Sequence, residues 1–80
     1  MLQPNLINVI PLENYMLELQ YENGEKRIFD VKPYMQGEWY EKLKDISLFR
    51  TVKVIENWTV EWAEGQDIEP KELYENSEAI

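Results

Sequence analysis

The sequence predicts an α+β fold, in which a small antiparallel sheet is built from two hairpins plus an N-terminal strand and is joined by two short helices. The predicted order is β-β-β-α-β-β-α. Residues 15–31 and 49–62 each contain two strand-like runs around a turn. Residues 37–46 space their apolar side chains as a helix does, and Pro70 opens a second helical segment. Both hairpins and both helices are expected to share one core.

The chain has 80 residues and shows no internal repeat or linker, so we expect a single domain over residues 1–80. Folding at this size buries only about 60–65% of the surface that the unfolded chain exposes, which limits the core. Hydrophobic residues make up 44% of the chain and include three Trp, five Tyr and two Phe, a composition typical of globular domains. We expect the core to span about residues 5–76 with a tail at 77–80, and we expect residues 75–80 to fray.

The first strand is predicted at residues 6–10, which are short, rich in β-branched side chains and bounded by two prolines. Proline cannot donate a ladder hydrogen bond, so this strand is expected at a sheet edge.

The strongest local signal is the hairpin over residues 15–31. Period-two alternation places four side chains on one face of its first strand, namely Tyr15, Leu17, Leu19 and Tyr21. Asn23 and Gly24 suit a type I′ turn, in which both central residues have positive φ. A two-residue loop then pairs Tyr21 with Lys26, Leu19 with Ile28, and Leu17 with Asp30.

That register places Asp30 on the same side of the sheet as Ile28, where a buried carboxylate needs partners. We expect Asp30 to accept hydrogen bonds from the turn at residues 31–34. If its pKa were perturbed, Asp30 would be a candidate for a minor acid-base or metal site.

The segment 37–46 is predicted to form one amphipathic helix, because Trp39, Leu43 and Ile46 are spaced to share its packed face. A helix of this length needs tertiary packing to be stable.

The second hairpin is predicted at residues 49–62, with its turn at Glu56 and Asn57. After it, Pro70 suits the first turn of a helix, where its missing N–H is not needed. Three side chains are expected to dock this helix, namely Ile68, Leu73 and Tyr74.

Composition and charge exclude several classes of function. The chain has no Cys and no His, which removes disulfides, thiolate nucleophiles, Cys-based zinc sites and the usual base at neutral pH. Its net charge is −8, and acids predominate in residues 54–80, which opposes direct binding to nucleic acid. We therefore expect no catalytic residues and no cofactor.

No signal peptide is recognised, and no apolar run approaches the roughly 20 residues that span a bilayer. A cytoplasmic location without membrane contact is the expectation.

Acids around Asp67 could be read as a site for Ca²⁺ or Mg²⁺, but the ligand spacing of an EF-hand is absent. Helix capping explains these acids better.

Four aromatic residues exceed what a small core encloses, namely Trp39, Tyr40, Trp58 and Trp62. They predict either an interaction surface or partly buried rings, and both interpretations remain open here. An exposed edge strand at residues 6–10 would give a second route to association, by self-pairing.

Three spaced blocks of the sequence resemble the DUF2442 family, whose function is unknown. The matching positions are Asn23, Gly24, Phe29, Asp30, Asp45, Phe49, Trp62, Gly65, Asp67, Ile68, Pro70, Leu73 and Tyr74. Trp39 stands where the family more often has Phe, and Ala63 where it usually has Pro. The resemblance implies a small α+β domain of bacterial or phage type, which in longer relatives precedes a helix-turn-helix domain that residues 1–80 are not expected to include. It also implies an antitoxin-like or regulatory partner-binding role, while the matching residues are equally well explained as turn, cap and core residues.

The main functional hypothesis is a non-catalytic protein–protein interaction module that binds another small protein or itself as a homodimer. One alternative is an acidic mimic of nucleic acid that blocks a basic site on a DNA- or RNA-binding protein. Another is a minor metal or acid-base site at Asp30 or Asp67.

Overall fold

The computed structural model describes residues 3–80. Its six strands are β1 (Leu6–Leu12), β2 (Met16–Tyr21), β3 (Lys26–Asp30), β4 (Lys53–Ile55), β5 (Thr59–Glu61) and β6 (Glu78–Ala79). Its three α-helices are α1 (Gly37–Glu41), α2 (Ile46–Phe49) and α3 (Pro70–Glu75), and short 3-10 turns occupy Glu13–Tyr15, Lys32–Tyr34 and Lys42–Lys44. The predicted α+β class is confirmed.

The strands form two antiparallel sheets. One has four strands in the order β1-β2-β3-β6, and the other pairs β4 with β5. The second hairpin thus forms its own sheet, because it meets β1 through its turn and not along a ladder. The N–H of Leu6 donates to the carbonyl of Asn57 (2.8 Å), and the Asn57 side chain donates to the carbonyl of Leu6 (3.2 Å). As predicted, β1 lies at an edge, although it continues through Pro11.

The predicted register of the first hairpin is wrong by one residue. Leu17 pairs with Phe29, and Met16 pairs with Asp30. The cause is the turn, in which Gly24 has positive φ and Asn23 does not, so the loop has three residues and the N–H of Tyr21 donates to the carbonyl of Glu25 (2.9 Å). Phe29 is therefore buried, while Asp30 lies on the other face.

The inward face of β2 is as predicted, since Leu17, Leu19 and Tyr21 are all buried. Tyr15 lies in the preceding 3-10 turn and not in the strand, and it packs edge-on against Phe49 with ring centroids 5.2 Å apart.

Burial of Tyr21 gives a testable pH dependence. Burial raises the pKa of Tyr21 from 10.0 to about 12, despite the opposing charge of Arg27. Below pH 10 the side chain is protonated in both the folded and the unfolded state, so this contribution to stability is complete there. Between pH 10 and 12 the unfolded state loses its proton first, and the free energy of unfolding should fall by up to roughly 3 kcal/mol.

The variant Tyr21→Phe should lack this alkaline loss, because it keeps the ring and removes the ionising group. Its stability at pH 7 should equal or exceed that of the wild type, since the hydroxyl has no hydrogen-bond partner among residues 3–80. Urea unfolding at several pH values between 8 and 12 measures the difference. Parallel curves for the two proteins would contradict the assignment.

The prediction of a single helix over residues 37–46 is wrong, because the helical backbone is interrupted at Asp45. Asp45 has an extended backbone (φ −71°, ψ 114°), and its carboxylate accepts from the N–H of Ser47 (2.9 Å), which caps α2. Leu43 is buried as expected, but Trp39 and Ile46 are exposed. The carboxylate of Asp45 caps a new helix, and this capping decides the local structure against the single helix that the apolar spacing predicts.

The predicted fraying of the tail is also wrong. Ser77 is buried, and β6 pairs with β3. The guanidinium of Arg27 fixes this segment, since it donates to the hydroxyl (2.6 Å) and to the carbonyl (2.8 Å) of Ser77. It also pairs with Glu25 (2.9 Å) and lies 4.7 Å from the centroid of the Tyr74 ring.

One hydrophobic core joins the two sheets and α3. Its buried members are Leu6, Leu17, Leu19, Tyr21, Phe29, Val31, Met35, Leu43, Phe49, Val52, Val60, Trp62, Ile68 and Leu73. Pro70 opens α3 as predicted, and Ile68 and Leu73 dock it. Within residues 3–80, no helix is sufficiently long and apolar to cross a membrane.

Candidate functional site

The β4–β5 turn and the start of α3 border a groove of about 700 Å³. Three aromatic side chains line it, namely Tyr34, Tyr40 and Trp58. Four acids line it as well, namely Glu56, Asp67, Glu69 and Glu72. The remaining lining residues are Ile55, Thr59, Ile68 and Pro70. We call this surface the aromatic–acidic groove.

The β4–β5 turn positions Trp58. Glu56 and Asn57 both have positive φ, 53° and 55°, and the N–H of Trp58 closes the turn on the carbonyl of Ile55 (2.9 Å). Because Asn57 is tied to Leu6 of β1, the turn is fixed to the main sheet. Trp58 leaves 46% of its surface exposed beside this hydrogen-bonded turn.

The two tyrosines are oriented by their hydroxyls. Tyr40 donates to the carbonyl of Asp67 (3.1 Å), and Tyr34 accepts from the side-chain amide of Asn76 (3.0 Å). Beneath them, the hydroxyl of Thr59 donates to the carbonyl of Ile68, and both of these residues are buried. The groove therefore has a packed floor and fixed aromatic walls.

All the charged side chains that line the groove are negative. The four acids are exposed, and within residues 3–80 none of them forms an ion pair. The lining includes no Lys or Arg. Like charges held near apolar rings raise the local concentration of cations, so the groove suits a positively charged group.

A second groove of about 600 Å³ lies beside the first. Trp58, Glu69 and Pro70 line both grooves and form a ridge between them. The other lining residues are Gln3, Lys71, Tyr74 and Glu75. Trp58 is thus accessible from both sides.

The structure brings together two of the four aromatic residues predicted to form a surface. Tyr40 and Trp58 both line the groove. Trp39 is 48% exposed but lies outside the lining, where its ring packs edge-on against Tyr40 and approaches Gly65. The prediction that Trp62 takes part is wrong, because Trp62 is fully buried and donates its indole N–H to the carbonyl of Phe49 (2.9 Å).

The family-motif residues have structural roles. The N–H of Gly65 donates to the carbonyl of Trp62 (2.9 Å) and closes a turn. Gly65 has a φ of 99° in this turn, a backbone conformation that favours glycine. Asn23 holds the first hairpin turn by accepting from the N–H of Glu25 (3.0 Å), and Asp45 caps α2. Phe29, Phe49, Ile68 and Leu73 lie in the core.

Asp30 lies outside the aromatic–acidic groove, whereas Asp67 is one of its four acids. Asp30 is partly exposed, accepts from the N–H of Lys32 (2.9 Å) as predicted for its turn, and pairs with the Lys32 ammonium (3.0 Å). The expectation that Asp30 lies opposite Leu17 is wrong, because Asp30 pairs with Met16. Asp67 is exposed. Within residues 3–80, no three acidic side chains are grouped to hold a metal ion.

Sequence reasoning missed Tyr34 and the grouping of the acids. Tyr34 is distant in sequence from Trp58, and only the tertiary fold brings both into one groove. The excess of acids in residues 54–80 was the sequence signal for an acidic surface, since all four groove acids lie in that segment.

Comparison with known families gives one match. The model described as "Protein of unknown function (DUF2442)" matches residues 6–79. No curated protein and no solved structure matches the chain.

Proposed function

This chain belongs to DUF2442, a family without an assigned function. From its surface we propose that it is a non-catalytic protein–protein interaction module. The aromatic–acidic groove is its binding surface. The observation that supports this proposal is that Trp58 is nearly half exposed beside a hydrogen-bonded turn and lines the same groove as the hydrogen-bonded rings of Tyr34 and Tyr40. Exposed, preorganised Trp and Tyr side chains are enriched among residues that dominate binding energy.

Self-association through β1 is a weaker route to binding. β1 carries three exposed apolar side chains, Ile7, Ile10 and Leu12, at the edge of the sheet. Pro11 lies within this strand and has no N–H to donate, which interrupts a ladder with a second copy. A homodimer formed at this edge is therefore disfavoured relative to binding at the groove.

An acidic mimic of nucleic acid is the second candidate function, supported by the unpaired acids of the groove and the net charge of −8. Such a mimic would use charge spread over a wide surface. Its binding would weaken equally when acids inside or outside the groove are neutralised, and would be lost in high salt.

The variant Trp58→Ala tests the module. Tagged wild-type protein should retain a defined partner from native lysate, identified by mass spectrometry, and Trp58→Ala should weaken that binding by at least about tenfold. The matched control is Trp39→Ala, which removes an equally exposed indole outside the lining. Equal losses for both variants, or no loss for either, would contradict the groove as the binding surface.

A further inference from the structure

We propose that the aromatic–acidic groove binds an arginine side chain from a basic segment of the partner protein. This inference rests on the proposed interaction module and specifies the chemistry of its ligand. Three features carry it, namely the single-sign charge of the lining, the aromatic walls, and an arginine elsewhere in this molecule that is held by the same residue types.

The lining combines the two groups that a guanidinium needs. The planar face of a guanidinium stacks on aromatic rings, and the guanidinium N–H groups donate to carboxylates in a fork geometry. Tyr34, Tyr40 and Trp58 supply the rings, and four exposed carboxylates line the same groove. An ammonium group is more strongly hydrated and cannot stack in this way, so the groove should favour arginine over lysine.

Arg27 shows how this chain holds a guanidinium. Its central carbon lies 4.7 Å from the centroid of the Tyr74 ring, while one terminal nitrogen donates to Glu25 (2.9 Å). The pKa of Glu25 is held below its usual range, first by a hydrogen bond from Asn23 and then by one from Tyr74. A ring and a carboxylate hold this arginine together with the hydroxyl and carbonyl of Ser77, and the groove presents the ring and carboxylate groups to solvent.

Charge complementarity selects a basic partner over an acidic or neutral one. The groove lining has no base, and the adjoining groove has only Lys71. An arginine entering beside Trp58 would meet unpaired carboxylates on both sides of the ridge, whereas an acidic segment would meet only like charge.

Fluorescence anisotropy of three labelled peptides tests this inference, using Arg-Gly, Lys-Gly and Gln-Gly repeats of equal length. The Arg-Gly peptide should bind severalfold more tightly than the Lys-Gly peptide, and the Gln-Gly peptide should not bind detectably. Trp58→Ala should weaken binding of the Arg-Gly peptide by about tenfold. Equal affinity for the arginine and lysine peptides would overturn the selectivity for arginine.

A pair of double variants separates the groove from overall charge. Glu56→Gln with Glu72→Gln should weaken binding of the Arg-Gly peptide by about tenfold. The control is Glu22→Gln with Glu38→Gln, which removes the same charge from a hairpin turn and a helix start outside the lining. Equal weakening by the two double variants would overturn the inference in favour of diffuse electrostatics.

The two proposals can fail separately. Trp58-dependent capture of a partner without binding of the Arg-Gly peptide would reject arginine recognition and keep the interaction module. Binding of the peptide that is insensitive to Trp58→Ala would reject the groove. Circular dichroism of each variant establishes that it is folded, as expected for substitutions at exposed positions.

Discussion

Trp62→Ala is expected to lower the free energy of unfolding by about 3–5 kcal/mol and to reduce Tm strongly. Trp62 is fully buried, its ring centroid lies 6.0 Å from that of Phe49, and its indole N–H is satisfied by the Phe49 carbonyl. Truncating such a side chain costs about 3–5 kcal/mol. A domain of this length has a total stability of roughly 4–12 kcal/mol, so the loss removes a large share of it.

Thermal unfolding followed by circular dichroism measures this effect. Trp58→Ala is the matched control, because it removes the same side chain from a half-exposed position and should change Tm little. Trp62→Phe should fall between the two, since it keeps part of the ring but leaves the Phe49 carbonyl without its donor. If Trp62→Ala and Trp58→Ala shifted Tm equally, the assignment of Trp62 to the core would be wrong.

Arg27→Ala is expected to cost roughly 2–3 kcal/mol and to release β6. Arg27 makes three charge-assisted hydrogen bonds, two to Ser77 and one to Glu25, and it lies over the ring of Tyr74. Its side chain is only 15% exposed, so these bonds are partly shielded from water. Without Arg27 the buried Ser77 loses two hydrogen bonds and keeps the one that its hydroxyl donates to the Tyr74 carbonyl (2.7 Å).

Two measurements check this prediction. Urea unfolding gives the loss of stability, and hydrogen exchange should accelerate at the N–H of Ile80, which donates to the carbonyl of Lys26 (2.9 Å). Arg27→Lys should restore little, because lysine keeps the charge but lacks the planar fork. Full recovery with lysine would show that charge alone holds the tail.

Local patterns could be read from the sequence where one physical effect decides the outcome. The alternation of apolar and polar residues in β2 identified the buried face that carries Leu17 and Leu19. Burial of one side of a sheet produces this alternation. The hairpin register could not be decided, because Asn23 and Gly24 suit either a two-residue or a three-residue loop. The helix over residues 37–46 was misjudged because the cap at Asp45 competed with the apolar spacing.

The candidate site was less predictable than the fold. Aromatic content singled out Tyr40 and Trp58, but it could not separate them from Trp62, whose burial depends on contacts with Phe49. The groove itself arises where α3 meets the β4–β5 turn, and no local pattern encodes that meeting. The tail was misjudged because the residue that holds Ser77 lies fifty positions earlier in the chain.

The pairing of β6 with β3 bears on how the protein folds during synthesis. Strands β1, β2 and β3 follow one another closely and can assemble soon after they leave the ribosome, because their contacts are local. The free edge of β3 is covered only when residues 78 and 79 emerge and pair with Ile28 and Arg27. Until then this edge has unpaired backbone groups, which are a template for pairing with strands of other chains.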